Sequence, residues 1–287
     1  MIKKMFLALF ALGIFTTSCS NDDDNAPANA NLTIDLNGLE ALGSDYVYEG
    51  WIIVNGVPVS TGTFSSVAFP QVFSVEADQL SSATRFVLSI EPSNDPNPAP
   101  ADTKLLVGDF VGNSASVNTD IVGDFSSAAG AFFLRTPTDE TGTNNGNDEN
   151  GVWFGTPGMP PTPNFVLPTL PAGWAYEGWV VGDNGPITTG TFNAFNTADV
   201  FDDFSETSQA GPPVPGEDFF LNAPAGETFP LDVRGRTVVI SVEPIPDDSP
   251  APFAIKPLVG TAGQDTAPAT YNFGQNLTSL PWGEVNR

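Results

Sequence analysis

The sequence predicts an all-β protein built as two tandem antiparallel β-sandwich domains behind a signal peptide and a flexible tether. Three observations carry this: short apolar segments between turn clusters, 28 Gly and 27 Pro among 287 residues, and an internal duplication. Segments rich in Val, Ile, Phe, Tyr, Trp and Thr recur at 32–36, 46–54, 85–91, 105–111, 131–135, 151–154, 174–181 and 237–243. Runs of β-branched and aromatic residues bounded by Gly, Pro, Asn and Asp read as strands. No stretch keeps a 3.6-residue apolar period for three turns, and Gly and Pro at this density would break most helices.

The duplication is explicit. Residues 46–64, YVYEGWIIVNGVPVSTGTF, answer to residues 174–192, WAYEGWVVGDNGPITTGTF, at a constant offset of 128, with nine of nineteen positions identical. A second block matches at an offset of 152: Ser89, Ile90, Glu91 and Pro92 answer to Ser241, Val242, Glu243 and Pro244, and Lys104, Leu106, Val107 and Gly108 to Lys256, Leu258, Val259 and Gly260. The change of offset places a 24-residue insertion in the second copy, between 193 and 240. Two copies at this spacing predict tandem domains, each with its own core, because a solenoid needs at least three stacked repeats.

Residues 32–158 and 159–287 are the expected domains. The polar run Pro137–Asn150 reads as a hairpin turn between 131–135 and 151–154, and this hairpin either closes the first domain or opens the second. The proline-rich segments 94–100 and 246–252 should be loops at sheet ends, since proline supplies no ladder amide.

At the N-terminus, Lys3 and Lys4 precede an apolar run from Met5 to Phe15, then Thr16, Thr17 and Ser18, the layout of a signal peptide over 1–18. The run is too short to span a bilayer. Cys19, the chain's only cysteine, follows small residues as in the lipobox of bacterial lipoproteins, although Thr16 stands where that motif usually has Leu. Acylated Cys19 would be the mature N-terminus, anchoring the chain to the outer membrane or cell surface. Ser20–Asp24 resembles an outer-surface export tag, and 19–31 reads as an acidic flexible tether.

The net charge is −25, and it deepens by two once Lys3 and Lys4 are removed. So acidic a surface repels phosphate backbones, which excludes nucleic acid as a partner. With no His and no second Cys, Ser/His/Asp, Cys/His and His-ligated zinc chemistry are excluded. Only carboxylates remain for catalysis.

The paired signatures, YEGW with P-x-[ST]-T-G-T-F and S-[IV]-E-P with a proline-rich loop and L-V-G, resemble the C-terminal domain of anti-sigma-K factors, over about 32–125 and 160–262. The resemblance implies an extracytoplasmic β-domain with a binding or sensing role. The family's sigma-binding helical domain and spanning helix have no counterpart here, so direct contact with a cytoplasmic sigma factor is not expected. The resulting expectation is a non-catalytic envelope lipoprotein, with the membrane as partner through its anchor and an unidentified protein or glycan as ligand.

Glu49 and Glu177 fall mid-strand among apolar neighbours, so each should be paired or shifted in pKa. One reading is a glycoside-acting site, with Glu91 and Glu243 as second carboxylates and tryptophan as a sugar platform. The other is structural: Lys104 and Lys256, retained at the same place in both copies, each neutralise a glutamate of their own domain (Glu49 or Glu91, Glu177 or Glu243). The structural reading is preferred. Tyr48, Trp51, Tyr176 and Trp179 are either core or a stacking surface, with core preferred. No cofactor is expected; calcium at Asp139, Asp199, Asp202 and Asp203 is the one candidate, against the simpler reading of solvated turns.

Overall fold

The computed structural model describes residues 28–140, 145–247 and 249–287. The expected signal peptide, Cys19 and the first part of the tether lie outside the described residues. The tether was expected to run to 31, but strand already begins at Asn29, where Asn29–Asn31 pair with the strand ending at Glu76.

The first sequence half supplies β1 (Asn29–Asn37), β2 (Tyr46–Val54), β3 (Val57–Phe64), β4 (Gln71–Glu76), β5 (Arg85–Pro92), β6 (Lys104–Asp109), β7 (Ser114–Val117) and β8 (Ala131–Leu134). The second supplies β9 (Gly151–Phe154), β10 (Trp174–Val181), β11 (Pro186–Phe192), β12 (Gly216–Asp218), β13 (Thr237–Pro244), β14 (Ile255–Thr261), β15 (Tyr271–Asn272), β16 (Gly274–Gln275) and β17 (Trp282–Asn286). The one described α-helix, Ala77–Ser82, is a single capped turn: the Glu76 carboxylate accepts the amides of Asp78 and Gln79, both at 3.2 Å. The fold is all-β, as expected, and every named pairing is antiparallel.

The YEGW strands occupy equivalent places. β2 lies between β3 and β5 in a sheet ordered β3-β2-β5-β6, and β10 lies between β11 and β13 in β11-β10-β13-β14-β16. Even the irregularities repeat, with a register shift at Gly50/Trp51 in one copy and at Glu177/Trp179 in the other.

The two covering sheets are ordered β4-β1-β17-β7 and β12-β9-β8-β15. They correspond strand for strand, except that the last strand of each half lies in the other half's sandwich. β17, at the C-terminus, enters between β1 and β7, with Val285 opposite both Ile34 and Ala115. β8 enters between β9 and β15, with Phe132 opposite Phe154 and Tyr271.

The expected boundary near 158 is therefore corrected. The hairpin β8–β9 belongs to the second sandwich, which begins at 131, and the chain returns to the first at 282. Nor does each copy own its core, because one continuous apolar cluster runs from Leu32 and Tyr48 through Phe132 and Tyr176 to Val285. The pairing surplus that an edge strand would expose is what each half offers to the other's last strand.

In the second sandwich, two glycines let the sheets approach. A Cβ on Gly178 would sit 2.4 Å from the Phe154 ring, and one on Gly260 2.8 Å from that of Phe132. The insertion contributes β12 and Val214; the latter packs with Phe133 and Trp153 in a separate small cluster.

Candidate functional site

On β2 and β5, residues two apart share a face, so Trp51, Ser89 and Glu91 are neighbours. The Trp51 indole Nε1 donates to Ser89 Oγ at 2.8 Å, and Ser89 Oγ in turn donates to Glu91 Oε1. Glu91 also accepts the amide of Ala101 at 2.9 Å. The second copy repeats every step. Trp179 Nε1 donates to Ser241 Oγ at 2.8 Å, Ser241 Oγ donates to Glu243, and Glu243 accepts the amide of Phe253 at 3.0 Å. A parallel pair joins Ser60 to Glu49 and Thr188 to Glu177, each hydroxyl donating to the carboxylate.

These contacts correct the expected ion pairs. Among the described residues, no ion pair joins Lys104 or Lys256 to Glu49, Glu91, Glu177 or Glu243. Lys104 Nζ donates instead to the carbonyl of Ala101 at 2.8 Å. Lys256 acts across the junction, its charge favouring the ionised form of Glu40 in the other half. Hydroxyls and amides are the cheaper partners here, since they need no second ion to be taken out of water.

A carboxylate answered only by neutral donors stays hard to ionise when buried. Burial pushes Glu177 up to about 7 and Glu243 up to about 8, with Ser241 and the Phe253 amide holding Glu243 back. Glu91 is raised for the same reason. Because each serine both accepts from tryptophan and donates to glutamate, Ser241→Ala leaves two buried groups short of a partner at once. A loss of about 2–3 kcal/mol in urea unfolding is expected, with a matching loss for Ser89→Ala.

The four aromatic candidates are core. Tyr48, Trp51, Tyr176 and Trp179 are all at most 3% exposed. Each tyrosine hydroxyl reaches back eight residues to a carbonyl: Tyr48 to Glu40 at 2.8 Å, Tyr176 to Pro168 at 2.6 Å.

What the relays position is a cavity of about 510 Å³ between the two copies. Ala101 and Phe253, the residues whose amides Glu91 and Glu243 hold, both line it, as do Pro92 and its counterpart Pro244. The proline-rich loops, expected only as sheet-end connections, form its walls. Tyr46, Leu42 and Ile90 complete the apolar lining, and Glu40 and Asp247 bring carboxylates to it. The junction is tight: Gly173 has φ +87°, and a Cβ there would meet the Asp102 carbonyl carbon at 2.9 Å. The amide of Ile245 donates to the carbonyl of Gly173 at 2.8 Å, tying the second wall to the start of β10.

The calcium candidates do not converge; among the described residues no three acidic, His or Cys side chains gather as a metal would need. Both Asp199 oxygens accept backbone amides, from Phe201 and Gly216. Asp139 accepts from Asn145 and Asn147, while Asp202 and Asp203 are exposed. The acids that the sequence reading missed are Glu217 and Asp218, both fully buried on β12 within the insertion. Asp218 accepts from Trp153 Nε1 at 2.8 Å and from the Thr138 amide at 2.9 Å, and Ser205 donates to Glu217. Burial pushes Asp218 to about 7 and Glu217 to about 9.

One family model matches, that of the C-terminal region of the anti-sigma-K factor RskA, over residues 25–103. That stretch ends two residues past Ala101 and takes in the whole Trp51–Ser89–Glu91 relay. No curated protein and no solved structure matches the chain.

Proposed function

We propose that this chain is a non-catalytic cell-envelope lipoprotein, held by lipid on Cys19 outside the cytoplasm, whose anti-sigma-K-like module is present twice and binds a ligand in the cavity between the copies. The observation that carries the reading is the pair of relays. The carboxylates repeated in both copies hold the amides of Ala101 and Phe253, and those two residues both line the cavity. The match over 25–103 supports the first copy's kinship, and the repeated hydrogen bonds extend it to the second. A cavity of this size falls within the range of small-molecule sites. Among the described residues no helix is long and apolar enough to cross a membrane, so the lipid is the attachment in this reading.

The rival, a glycoside-acting protein, asks for an accessible aromatic platform beside two carboxyls. Trp51 and Trp179 are buried, and their indole N–H groups are engaged, which weighs against it. A fragment screen followed by amide chemical shifts decides between them. Perturbations at Leu42, Tyr46, Ala101 and Phe253 are expected; oligosaccharides shifting Ser60, Glu49 and Thr188 instead would overturn the assignment. Cys19→Ser should release the protein from the membrane fraction.

A further inference from the structure

We propose that the cavity between the two copies takes an apolar ligand bearing a protonated amine, with the Glu40 carboxylate as its counter-ion; this rests on the reading of the cavity as a ligand site. The walls are apolar: Leu42, Tyr46, Ile90, Pro92, Pro244 and Phe253. Among the described residues, every charged side chain that lines the cavity is a carboxylate, Glu40, Asp102 or Asp247, and no lysine or arginine lines it.

Glu40 is the distinctive member. Its backbone is pinned by the Tyr48 hydroxyl at 2.8 Å, so its side chain is presented from a fixed point. Its place in the other copy, 128 residues on, is Pro168, so the acid breaks the approximate symmetry of the site rather than serving the duplicated scaffold. The carboxyl is half-buried, and among the described residues no hydrogen-bond donor meets it. Burial raises its pKa; Lys256 opposes that through space and Asp247 adds to it.

A half-buried carboxylate without a donor is costly to keep ionised, and a ligand ammonium would supply both the charge and the N–H groups. Anionic ligands meet carboxylates at the wall and a net charge of −25 beyond it. The apolar walls then select a hydrocarbon or aromatic body over a bare metal or a small hydrated cation.

The test is titration of the purified protein with three molecules that share one phenylalkyl body, 4-phenylbutylamine, 4-phenylbutanol and 4-phenylbutyrate, followed by calorimetry and by amide shifts of Leu42, Tyr46 and Phe253. The amine is expected to bind about tenfold more tightly than the alcohol, the difference between a charge-assisted and a neutral hydrogen bond, and the carboxylate not at all. Glu40→Gln, whose melting temperature should equal or exceed the parent's because the side chain accepts no hydrogen bond and burial disfavours its charge, is expected to bring the amine down to the affinity of the alcohol and leave the alcohol unchanged. If the alcohol equals the amine at the same residues, or Glu40→Gln binds the amine undiminished, the charge assignment is wrong while the cavity stands as a ligand site. If none of the three shifts the cavity residues, the ligand-site reading falls and the inference falls with it.

Discussion

Removal of residues 282–287 from the C-terminus is expected to unfold the first sandwich, although every other strand of that sandwich comes from residues before 118. β17 is central in its sheet, with β1 on one side and β7 on the other, so its loss opens two ladders and not one. Val285 is fully buried, and burial of such a side chain is worth about 1.5–3 kcal/mol. Arg287 adds contacts that only the terminus can make: it donates to the carbonyls of Leu80, Ala83 and Gly112 and lies 4.5 Å over the Phe110 ring. With the unpaired backbone of β1 and β7 included, the loss should exceed about 5 kcal/mol, the scale of a whole domain's stability. Hydrogen exchange should show β1 and β7 amides losing protection. A truncated chain that melts with the parent would show the exchange of strands to be without structural weight.

The exchange is reciprocal, so the converse substitution completes the argument. Phe132 lies in the first sequence half but is fully buried against Tyr271 and Phe273, with ring centroids at 5.7 and 4.9 Å. Phe132→Ala should cost about 3–5 kcal/mol and expose β9 and β15 amides before those of β1. Because each half completes the other and one apolar cluster runs through both, urea unfolding of the parent should be a single transition.

The strands that the sequence made legible are those whose burial is decided within a few residues. YVYEGWIIV and WAYEGWVV are rich in β-branched and aromatic residues, and both are strands at their expected bounds. β17, WGEVN, has only Trp282 and Val285 as apolar positions, and its place is decided by strands more than 160 residues away. At the 152 offset it shares no identity with β8, and the one match beside them, Arg135 with Arg287, falls just past each strand, too little to show that two last strands correspond. The relays were half legible. Serine two residues before glutamate on one strand face is visible in S-[IV]-E-P, but formal charge alone points to lysine, and only the folded loop shows that Lys104 meets the Ala101 carbonyl while the serine meets the glutamate. The cavity was not legible at all, since it exists only where two proline-rich loops from different copies meet.

The melting temperature should be highest near pH 5 and fall steadily toward pH 9. Asp199 is raised to about 6, Glu177 and Asp218 to about 7, Glu243 to about 8 and Glu217 to about 9, in every case chiefly by burial. A carboxyl whose pKa is raised on folding holds its proton more tightly in the folded chain than in the unfolded one. Its contribution is therefore complete below the unfolded value of about 4 and is lost as pH climbs through the folded value. One such group costs about 1.4 kcal/mol per pH unit while it stays protonated in the fold and ionised outside it. Repulsion within a chain of net charge −25 changes in the same direction, so local and global terms must be separated. Glu217→Gln does so: it keeps the oxygen that accepts from Ser205 but has nothing to ionise. It should stabilise the protein by about 2 kcal/mol or more at pH 8 and by little at pH 5, whereas Asp203→Asn, which removes the same charge from an exposed position, should move the curve by less than about 0.5 kcal/mol at either pH. A flat profile from pH 5 to 9, or equal effects of the two substitutions, would mean that the buried carboxyls do not set the acid preference of this fold.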